Sequence, residues 1–420
     1  MNRFIFLAVI VLSAGVANGQ TFGLAEIVNR AIQENGEIRI ARLEVDKARA
    51  RLSQAQLRPN PTLEVEHASG RFVGSPGDRE LSVELSVPLE VYGQRARRIE
   101  LARAEVTLQE AELTSKEREL TVRIIADYIE ALSASRELRV FDEILDLDIQ
   151  TVKFVQIRVN EGESAPLELN LLQTEIERLR AQRHLAEGRF RVALSKLKYY
   201  AGVAYEMPFP LREDIETATL PVLPATLETS IDVGSKNRPE IRLAVLEEQL
   251  ATAGLRLVRS QSKPDISATA RYTQGRAGFD DPRGEFFQRD RGLTFGVSIG
   301  LPVFNRNQGA KAEAEIAIRQ AQERRIFSEQ VVKSEIVAAF YRIEAAKRAL
   351  ATLETAVLPR SRENIETIRR VYEIGELKIT DLIAEQRKLL DANRDLTTTL
   401  TERYRAHADL LIAIGAISFK

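Results

Sequence analysis

Histidine, cysteine and paired carboxylates carry out most catalytic and metal-binding chemistry. In this chain the number and spacing of these residues favour neither catalysis nor metal binding. The chain has no cysteine, which excludes disulfides, thiolate ligands and cysteine nucleophiles together. Its three histidines, His67, His184 and His407, lie far apart in sequence and have no ligand spacing. The chain has neither a glycine-rich phosphate loop nor a nucleophile motif. We therefore predict no enzymatic activity, no cofactor and no bound metal.

Two turn motifs contain residues whose types suit a special backbone conformation. Each has a glycine that fits the left-handed position closing a helix, followed by polar residues before the next helix. Ser164 and Thr380 are candidate caps of the returning helices. The simplest interpretation is a helix–turn–helix connection, but the duplication of the motif also favours a pair of docking tips. The candidate tip residues are Gly162, Glu163, Ser164, Gly375, Glu376 and Leu377.

Four segments alternate strictly between apolar and polar residues, which is typical of β-strands with two different faces. One interpretation is a half-buried hairpin on a soluble protein. The other is a contribution to a membrane β-barrel, whose strands are about 9–11 residues long, apolar towards lipid and polar towards the lumen. We favour the barrel, and it requires an oligomer. The predicted lumen residues are Glu64, Glu66, Ser82, Glu84, Thr269, Arg271, Thr294 and Ser298.

These motifs occur in matching places because the chain is duplicated. The segment that begins at Glu37 recurs 203 residues later at Glu240, and Gly162 recurs 213 residues later at Gly375. Each half has the order helix, strand pair, long helix, turn and helix, and the opening helix of the first half is predicted from about Leu24 to Leu57. The predicted divisions are a signal peptide at 1–19, a first structural repeat at 20–206, a proline-rich connector at 207–225 and a second structural repeat at 226–420. The first repeat contains a β-hairpin at about 62–88 and a helical tip at about 160–166. The second repeat contains a β-hairpin at about 265–302 and a helical tip at about 373–380.

Very long helices are predicted between the strands and the tips. No proline interrupts the segment from Gly93 to Val159, whose helix would be ~100 Å long at 1.5 Å per residue. In the second half, apolar residues from Val332 to Val357 step by four and three, as in a coiled coil. The first half keeps this rhythm, with Asp148 in one apolar slot. Pro359 should kink or break the second long helix.

Composition and the N-terminus limit the class of protein. The 60 basic and 61 acidic residues balance, so no strong attraction to nucleic acid is expected. Residues 1–19 resemble a cleaved secretory signal, and no other stretch is long and apolar enough to span a bilayer as a helix. The connector, which contains four prolines, is interpreted as an extended segment wrapped around the helices, although a free linker remains an alternative.

Several short segments, taken in order, resemble a known family. They are Arg58-Pro59-Asn60-Pro61, Val87-Pro88-Leu89, Asn237-Arg238-Pro239-Glu240-Ile241, Leu301-Pro302-Val303-Phe304, and Tyr372-Glu373-Ile374-Gly375-Glu376 with Asp381-Leu382. The whole mature chain resembles the outer-membrane efflux proteins, the TolC-like channels, and within them the branch that serves heavy-metal and other cation efflux systems. This resemblance implies a homotrimer with a twelve-stranded barrel in the outer membrane and an α-helical tunnel through the periplasm.

The resemblance also implies partners and an acidic constriction. The tips would meet a periplasmic adaptor (a membrane fusion protein) and an inner-membrane pump, of the RND type. In the family, acidic side chains just after the second tip narrow the periplasmic aperture. Asp381 fits that position. The place one turn further on, where some members carry another acid, is Ala384, with Glu385 beside it, so the number of acidic rings stays open. Both acids could instead belong to a solvated helix face.

We therefore predict a mainly α fold with a membrane β-barrel contribution, built from duplicated long coiled-coil helical hairpins and two β-hairpins. The predicted function is the exit duct of a tripartite efflux system, located in the outer membrane and extending into the periplasm. The alternative is a soluble periplasmic coiled-coil adaptor or scaffold. An exported hydrolase is a weaker alternative because no site for it is present.

Overall fold

The computed structural model describes residues 21–72, 77–217, 221–281 and 284–416. The predicted signal peptide, 1–19, lies outside the described residues. The described parts of the first half form α1 (Leu24–Glu34), α2 (Gly36–Ala55), β1 (Thr62–Ser69), β2 (Arg79–Leu89), α3 (Gln94–Asn160) and α4 (Pro166–Tyr200). The second half forms α5 (Leu227–Asn237), α6 (Pro239–Gln261), β3 (Asp265–Asp281), β4 (Gly284–Gly300), α7 (Gln308–Thr352), α8 (Leu358–Glu373) and α9 (Ile379–Ala413). The predicted mainly α fold with a small sheet is confirmed.

Two compact units make up the chain, and each takes segments from both sequence halves. The helical unit comprises the described residues of Met1–Ile38, Glu117–Asn237 and Ser334–Lys420. The sheet unit comprises those of Arg39–Lys116 and Arg238–Lys333. The compact units therefore do not coincide with the sequence repeats. Among the described helices, none combines the length and the apolar character that a bilayer crossing needs.

The sheet unit contains one antiparallel sheet with the strand order β1-β2-β3-β4. Each hairpin comes from one sequence half, and β2 pairs with β3 to join them. Val83 lies opposite Val65 on one side and Tyr272 on the other. Because directly opposite residues share a face, the alternation of each strand aligns across the whole sheet. The result is one polar face and one apolar face.

The first predicted helix is interrupted at Asn35. The sequence predicts one helix from Leu24 to Leu57, whereas α1 ends at Glu34 and α2 begins at Gly36. Asn35 has an extended ψ of 134°, and its side-chain oxygen accepts a hydrogen bond from the Glu37 N–H at 2.8 Å. The prediction was wrong here because an asparagine side chain can replace a backbone carbonyl and cap a new helix.

The coiled-coil seam of the second half ends at a local change of helix type. Ile336, Ile343 and Leu350 are buried as predicted. Residues Leu353–Val357 then form a turn of π-helix just before Pro359. A π-helical turn contains one more residue than an α-helical turn, so it shifts the apolar seam around the helix. Val357, which an unbroken seam would bury, is therefore exposed. The predicted interruption at Pro359 is therefore present.

The first described stretch of the connector, 207–217, is anchored to the helical unit. Phe209 is buried and stacks on Phe22 with ring centroids 4.1 Å apart. The Arg136 Nε donates to the Glu216 carboxylate at 2.7 Å. These contacts argue against a free linker for this stretch.

Candidate functional site

The first tip turn, residues 161–165, connects α3 to α4 and is closed by backbone hydrogen bonds. Gly162 has a φ of +79°, which L side chains rarely adopt. Its N–H donates to the Val159 carbonyl at 3.1 Å, and the Glu163 N–H donates to the Arg158 carbonyl at 2.8 Å. This pair is the Schellman pattern, which satisfies the last carbonyls of a helix. Glu163 is thereby exposed beyond the helix end, with Ser164 half-buried beside it.

The second tip turn, residues 374–378, repeats this geometry between α8 and α9. Gly375 has a φ of +85°. Its N–H donates to the Tyr372 carbonyl at 2.9 Å, and the Glu376 N–H donates to the Val371 carbonyl at 3.2 Å. Glu376 is exposed, whereas Leu377 packs against a buried apolar cluster. The two glycines therefore have the backbone role that the sequence predicts.

Arg158 brings the two tip turns together. Its Nη1 donates to the Tyr372 carbonyl at 3.2 Å, and its Nε lies 3.6 Å from the Glu163 carboxylate. The guanidinium also lies over the Phe154 and Tyr372 rings, 5.8 and 5.9 Å from their centroids. One cation thus links the end of α3 to the end of α8. The sequence does not indicate this role, because a single arginine at a helix end gives no distinctive signal.

A buried cluster supports the two turns from below. Tyr372 is almost fully buried, and its hydroxyl donates to the Glu168 carboxylate at 3.1 Å. Burial, with the negative charge of Glu168, raises the pKa of the Tyr372 hydroxyl to about 12. Tyr372 therefore remains a neutral hydrogen-bond donor at neutral pH. The buried members of the cluster are Val155, Leu172, Tyr372, Ile379, Leu382 and Ile383.

The starts of the returning helices differ from the prediction. The N-cap of α4 is Ala165 and that of α9 is Lys378, so Ser164 and Thr380 are not the caps. The reason for α4 is Pro166, which fits the first helical turn and sets the helix start after Ser164. In α9 the carboxylate of Asp381 accepts a hydrogen bond from the Lys378 N–H at 3.1 Å.

The two candidate aperture residues have different environments. Asp381 is exposed at the start of α9, where a carboxylate also interacts favourably with the helix dipole. Glu385 is buried, 5% exposed, and its carboxylate lies 3.0 Å from the Lys388 ammonium. Of these two residues, only Asp381 therefore has a solvent-exposed carboxylate in the single chain.

Two further buried acids lie near this part of α9. Glu175 on α4 is held by Arg387, whose Nη2 donates to its carboxylate at 2.6 Å, and these hydrogen bonds lower the pKa of Glu175. Asp148 is completely buried in the seam of α3. The sequence marks Asp148 as the polar residue in an apolar row, but it gives no sign of its neighbours.

The predicted lumen residues share the polar face of the sheet. Glu64, Glu84, Arg271 and Thr294 lie opposite one another in a single row across all four strands. Glu84 accepts a hydrogen bond from the Arg271 Nε at 2.6 Å. In neighbouring rows Ser82 donates to Glu66 at 3.3 Å, Thr269 lies over Gly296, whose missing side chain leaves it room, and Ser298 pairs with Ser267.

The opposite face of the sheet is apolar and uncovered in the single chain. Phe295 and Val297 on β4 are 75% and 66% exposed, and large apolar side chains are rarely exposed so fully in a contiguous patch on a soluble protein. The exposed members of this face are Leu63, Val65, Leu81, Leu85, Val87, Tyr272, Leu293, Phe295, Val297 and Ile299. In the described parts of the chain, no group of three His, Asp or Glu side chains is arranged to hold a metal ion.

Comparisons with known proteins agree with this geometry over nearly the whole chain. A family model described as outer membrane efflux protein matches residues 27–203 and 232–416. The cobalt-zinc-cadmium resistance protein CzcC of Cupriavidus metallidurans is 22% identical over 385 residues, covering 91% of this chain and 87% of that protein. The outer membrane protein TolC of Vibrio cholerae is 22% identical over 402 residues, covering 94% and 91%. Crystal structures of CusC have a TM-score of 0.77 at 21% identity, covering 93% of this chain and 92% of that one.

Proposed function

The chain belongs to the outer membrane efflux protein family, and from this membership we propose that it is the exit duct of a tripartite efflux system, through which substrates leave the periplasm passively. It is an outer membrane protein of the TolC-like, heavy-metal efflux branch. The family consists of channel proteins, so the alternative of a soluble adaptor is not supported. The observation that carries the proposal is the sheet with one charged face and one exposed apolar face. In a membrane barrel the apolar face contacts lipid and the charged face lines a water-filled lumen.

The duct is proposed to be a homotrimer. β1 and β4 are the outer strands of the described four-stranded sheet, and uncovered strand edges cannot remain unsatisfied within lipid. Three copies would supply twelve strands and close the sheet into a barrel. A row of exposed apolar residues at multiples of seven on α4 also supports helix packing between copies. The row comprises Leu171, Leu185, Val192 and Tyr199.

The two tip turns are the proposed docking surface for a periplasmic adaptor, which would connect the duct to an inner-membrane pump of the RND type. Arg158 links the two turns, and exposed Glu163 and Glu376 give this surface a negative charge. Ile374, 71% exposed beside them, offers an apolar contact. A partner with a basic and apolar end would match this chemistry.

The proposed constriction is a ring of three Asp381 carboxylates, one from each copy. Like charges at a narrow opening attract cations and repel one another. Glu385 remains a weaker candidate for a second ring because its carboxylate is paired with Lys388. The polar face of the sheet, with Glu64 and Arg271 among its charged residues, would line the barrel lumen.

Metal cations are the proposed substrates, because CzcC is named for cobalt, zinc and cadmium resistance. The test is to delete the gene for this chain in its host and to measure growth in these metals. We expect sensitivity that the intact gene restores, but only in cells that retain the adaptor and the pump. Unchanged growth of the deletion strain in all three metals, with no other duct present, would contradict the proposed substrate class.

A further inference from the structure

Asp148 is the one residue of the described α3 seam whose chemistry conflicts with its place. It is 0% exposed and lies in the heptad row between Leu145 and Val152. One apolar cluster, containing Leu145, precedes it and another, containing Val155, follows it. A carboxylate in such surroundings loses its hydration, which costs several kcal/mol unless protein groups replace the water.

Protein groups do not replace the lost water around an ionised Asp148. Neither of its carboxyl oxygens receives a hydrogen bond of good geometry, and the nearby Gln386 amide offsets the burial only in part. The neighbouring acid on α4, Glu175, is negatively charged and already bound to Arg387 and Arg178. Arg387 and Arg178 are therefore engaged with another carboxylate.

Gln386 on α9 also has a buried polar atom without a hydrogen bond. Its side-chain oxygen is buried and receives no hydrogen bond, while its amide group is near enough to Asp148 to act on the carboxyl as a hydrogen-bond partner. A proton on Asp148 would turn one acceptor into a donor. The neutral carboxyl could then donate to the Gln386 oxygen, so that one proton satisfies two buried groups.

The other charged groups around Asp148 do not offset its charge directly. On α3, Glu143 lines a cavity of about 280 Å³ together with Thr151 and Gln386. On α8, Arg362, Glu366 and Arg369 line the same cavity. On α9, Glu385 and Lys388 pair with each other. Asp148 itself is not among the residues that line this cavity.

The titration of Asp148 is consistent with the geometry. Burial raises the pKa of Asp148 from its ordinary value of 3.8 to about 7, the charge of Glu175 acts in the same direction, and the Gln386 amide acts in the opposite direction. Because the folded state holds the proton more tightly than the unfolded state, stability falls as the pH rises from about 4 to 7. Above that window the loss is complete and constant.

We propose that Asp148 is a proton-operated switch in the tip-proximal bundle, which we define as residues 138–159 of α3, 166–186 of α4 and 379–393 of α9. The neutral carboxyl fits the closed packing of these three helices, and its ionisation loosens that packing. The switch itself does not depend on the proposed export function. Its consequence does, since α9 also carries Asp381 and loosening of α9 would alter the proposed constriction.

The test uses the full chain, purified from membranes in detergent, and infrared spectroscopy between pH 5.5 and 8.5. We expect a carbonyl band of a protonated carboxylic acid that is lost as the pH rises through about 7, and that Asp148→Asn lacks. Asp146→Asn is the matched control, because Asp146 is exposed two residues away on the same helix and its loss should leave the band unchanged. A band that persists in Asp148→Asn would overturn the proposal.

Amide hydrogen exchange tests the loosening. After correction for the intrinsic rate, exchange in the tip-proximal bundle should rise on the order of tenfold for each pH unit as the pH approaches the pKa of Asp148 from below, and it should level off above that pKa. The rise should be absent in Asp148→Asn and present in Asp146→Asn. If Asp148→Asn does not fold, Asp148→Leu, which suits the apolar seam, replaces it. Equal pH profiles in the wild type and the variant would refute the switch, whether or not the protein exports metals.

Discussion

At the tips, the role of a single residue depends on the residues that it contacts in the folded chain. Arg158 ties the carbonyl of Tyr372 to the acid of Glu163, and Tyr372 in turn binds Glu168. The two turns, which are 213 residues apart in sequence, are thus held by four side chains. Changes at this scale should alter the tips without disturbing the strands, which belong to the sheet unit.

Gly375→Val tests the docking role of the tips. A β-branched residue at a φ of +85° should cost more than the roughly 1–2 kcal/mol of an ordinary side chain in the left-handed region, so the turn should change shape. We expect metal resistance to be lost while cross-linked trimers in the membrane fraction remain. Gly309→Val on α7 is the control, since a side chain there meets open space. Undiminished export by Gly375→Val would contradict the docking role.

Tyr372→Phe tests the support below the tips. The change removes only the hydroxyl that donates to Glu168, and a hydrogen bond to a charged group contributes roughly 1.5–3 kcal/mol. Because Glu168 is half-buried and can be partly rehydrated, we expect a loss near the lower end, measured as a reduced thermal midpoint. Tyr341→Phe, at an exposed tyrosine, should leave the midpoint unchanged. Equal midpoints for both variants would mean that the Glu168 contact adds no stability.

At the scale of elements, helix starts and interruptions determine where charges are presented. Asp381 stands at the start of α9 because Lys378, not Thr380, is the N-cap. The π-helical turn at Leu353–Val357 shifts the seam before Pro359. In both cases a backbone requirement, rather than the apolar pattern, determines which side chains are exposed.

Variants of Asp381 can separate its structural role from its proposed electrostatic role. Asp381→Asn keeps an oxygen that can accept from the Lys378 N–H, so stability should be nearly unchanged while cation selectivity falls. Asp381→Ala should lose both the selectivity and about 0.5–1 kcal/mol of stability. Single-channel conductance and thermal unfolding are the measurements. Asp391→Asn, an exposed acid further along α9, is the control, and an equal selectivity change there would argue against a local constriction.

At the scale of the whole molecule, the sheet requires surroundings that one chain does not provide. The apolar face is exposed and the outer strands have free edges in the described sheet. In the proposed trimer, lipid would cover the apolar face and neighbouring copies would pair with the free edges. Membrane insertion and assembly should therefore depend on the same strands.

Adjacent residues on β4 provide a matched pair for this prediction. Phe295→Arg places a charge on the apolar face, which costs about 2–4 kcal/mol near the middle of a bilayer. Thr294→Arg places the same charge on the polar face, beside Arg271. We expect the first variant to disappear from the outer-membrane fraction and the second to remain there. Equal recovery of both variants from the membrane would contradict the assignment of the faces.

The sequence by itself determined the periodic features of this protein. Alternation in β1 to β4, the heptad seams of α3 and α7, and the glycines at 162 and 375 are local patterns, and a strand face, a helix seam or a left-handed turn follows directly from them. The helix break at Asn35 was missed because a capping side chain competes with a strong helical pattern over only one or two residues.

Only the tertiary structure decided which distant groups meet. Arg158 reaches Tyr372, Arg387 binds Glu175, and Asp148 lies beside Glu175 and Gln386 because helices from both halves pack side by side. Burial and charge depend on those neighbours, and a neighbour hundreds of residues away leaves no local trace in the sequence. The pairing of β2 with β3, which joins the two halves into one sheet, is decided in the same way.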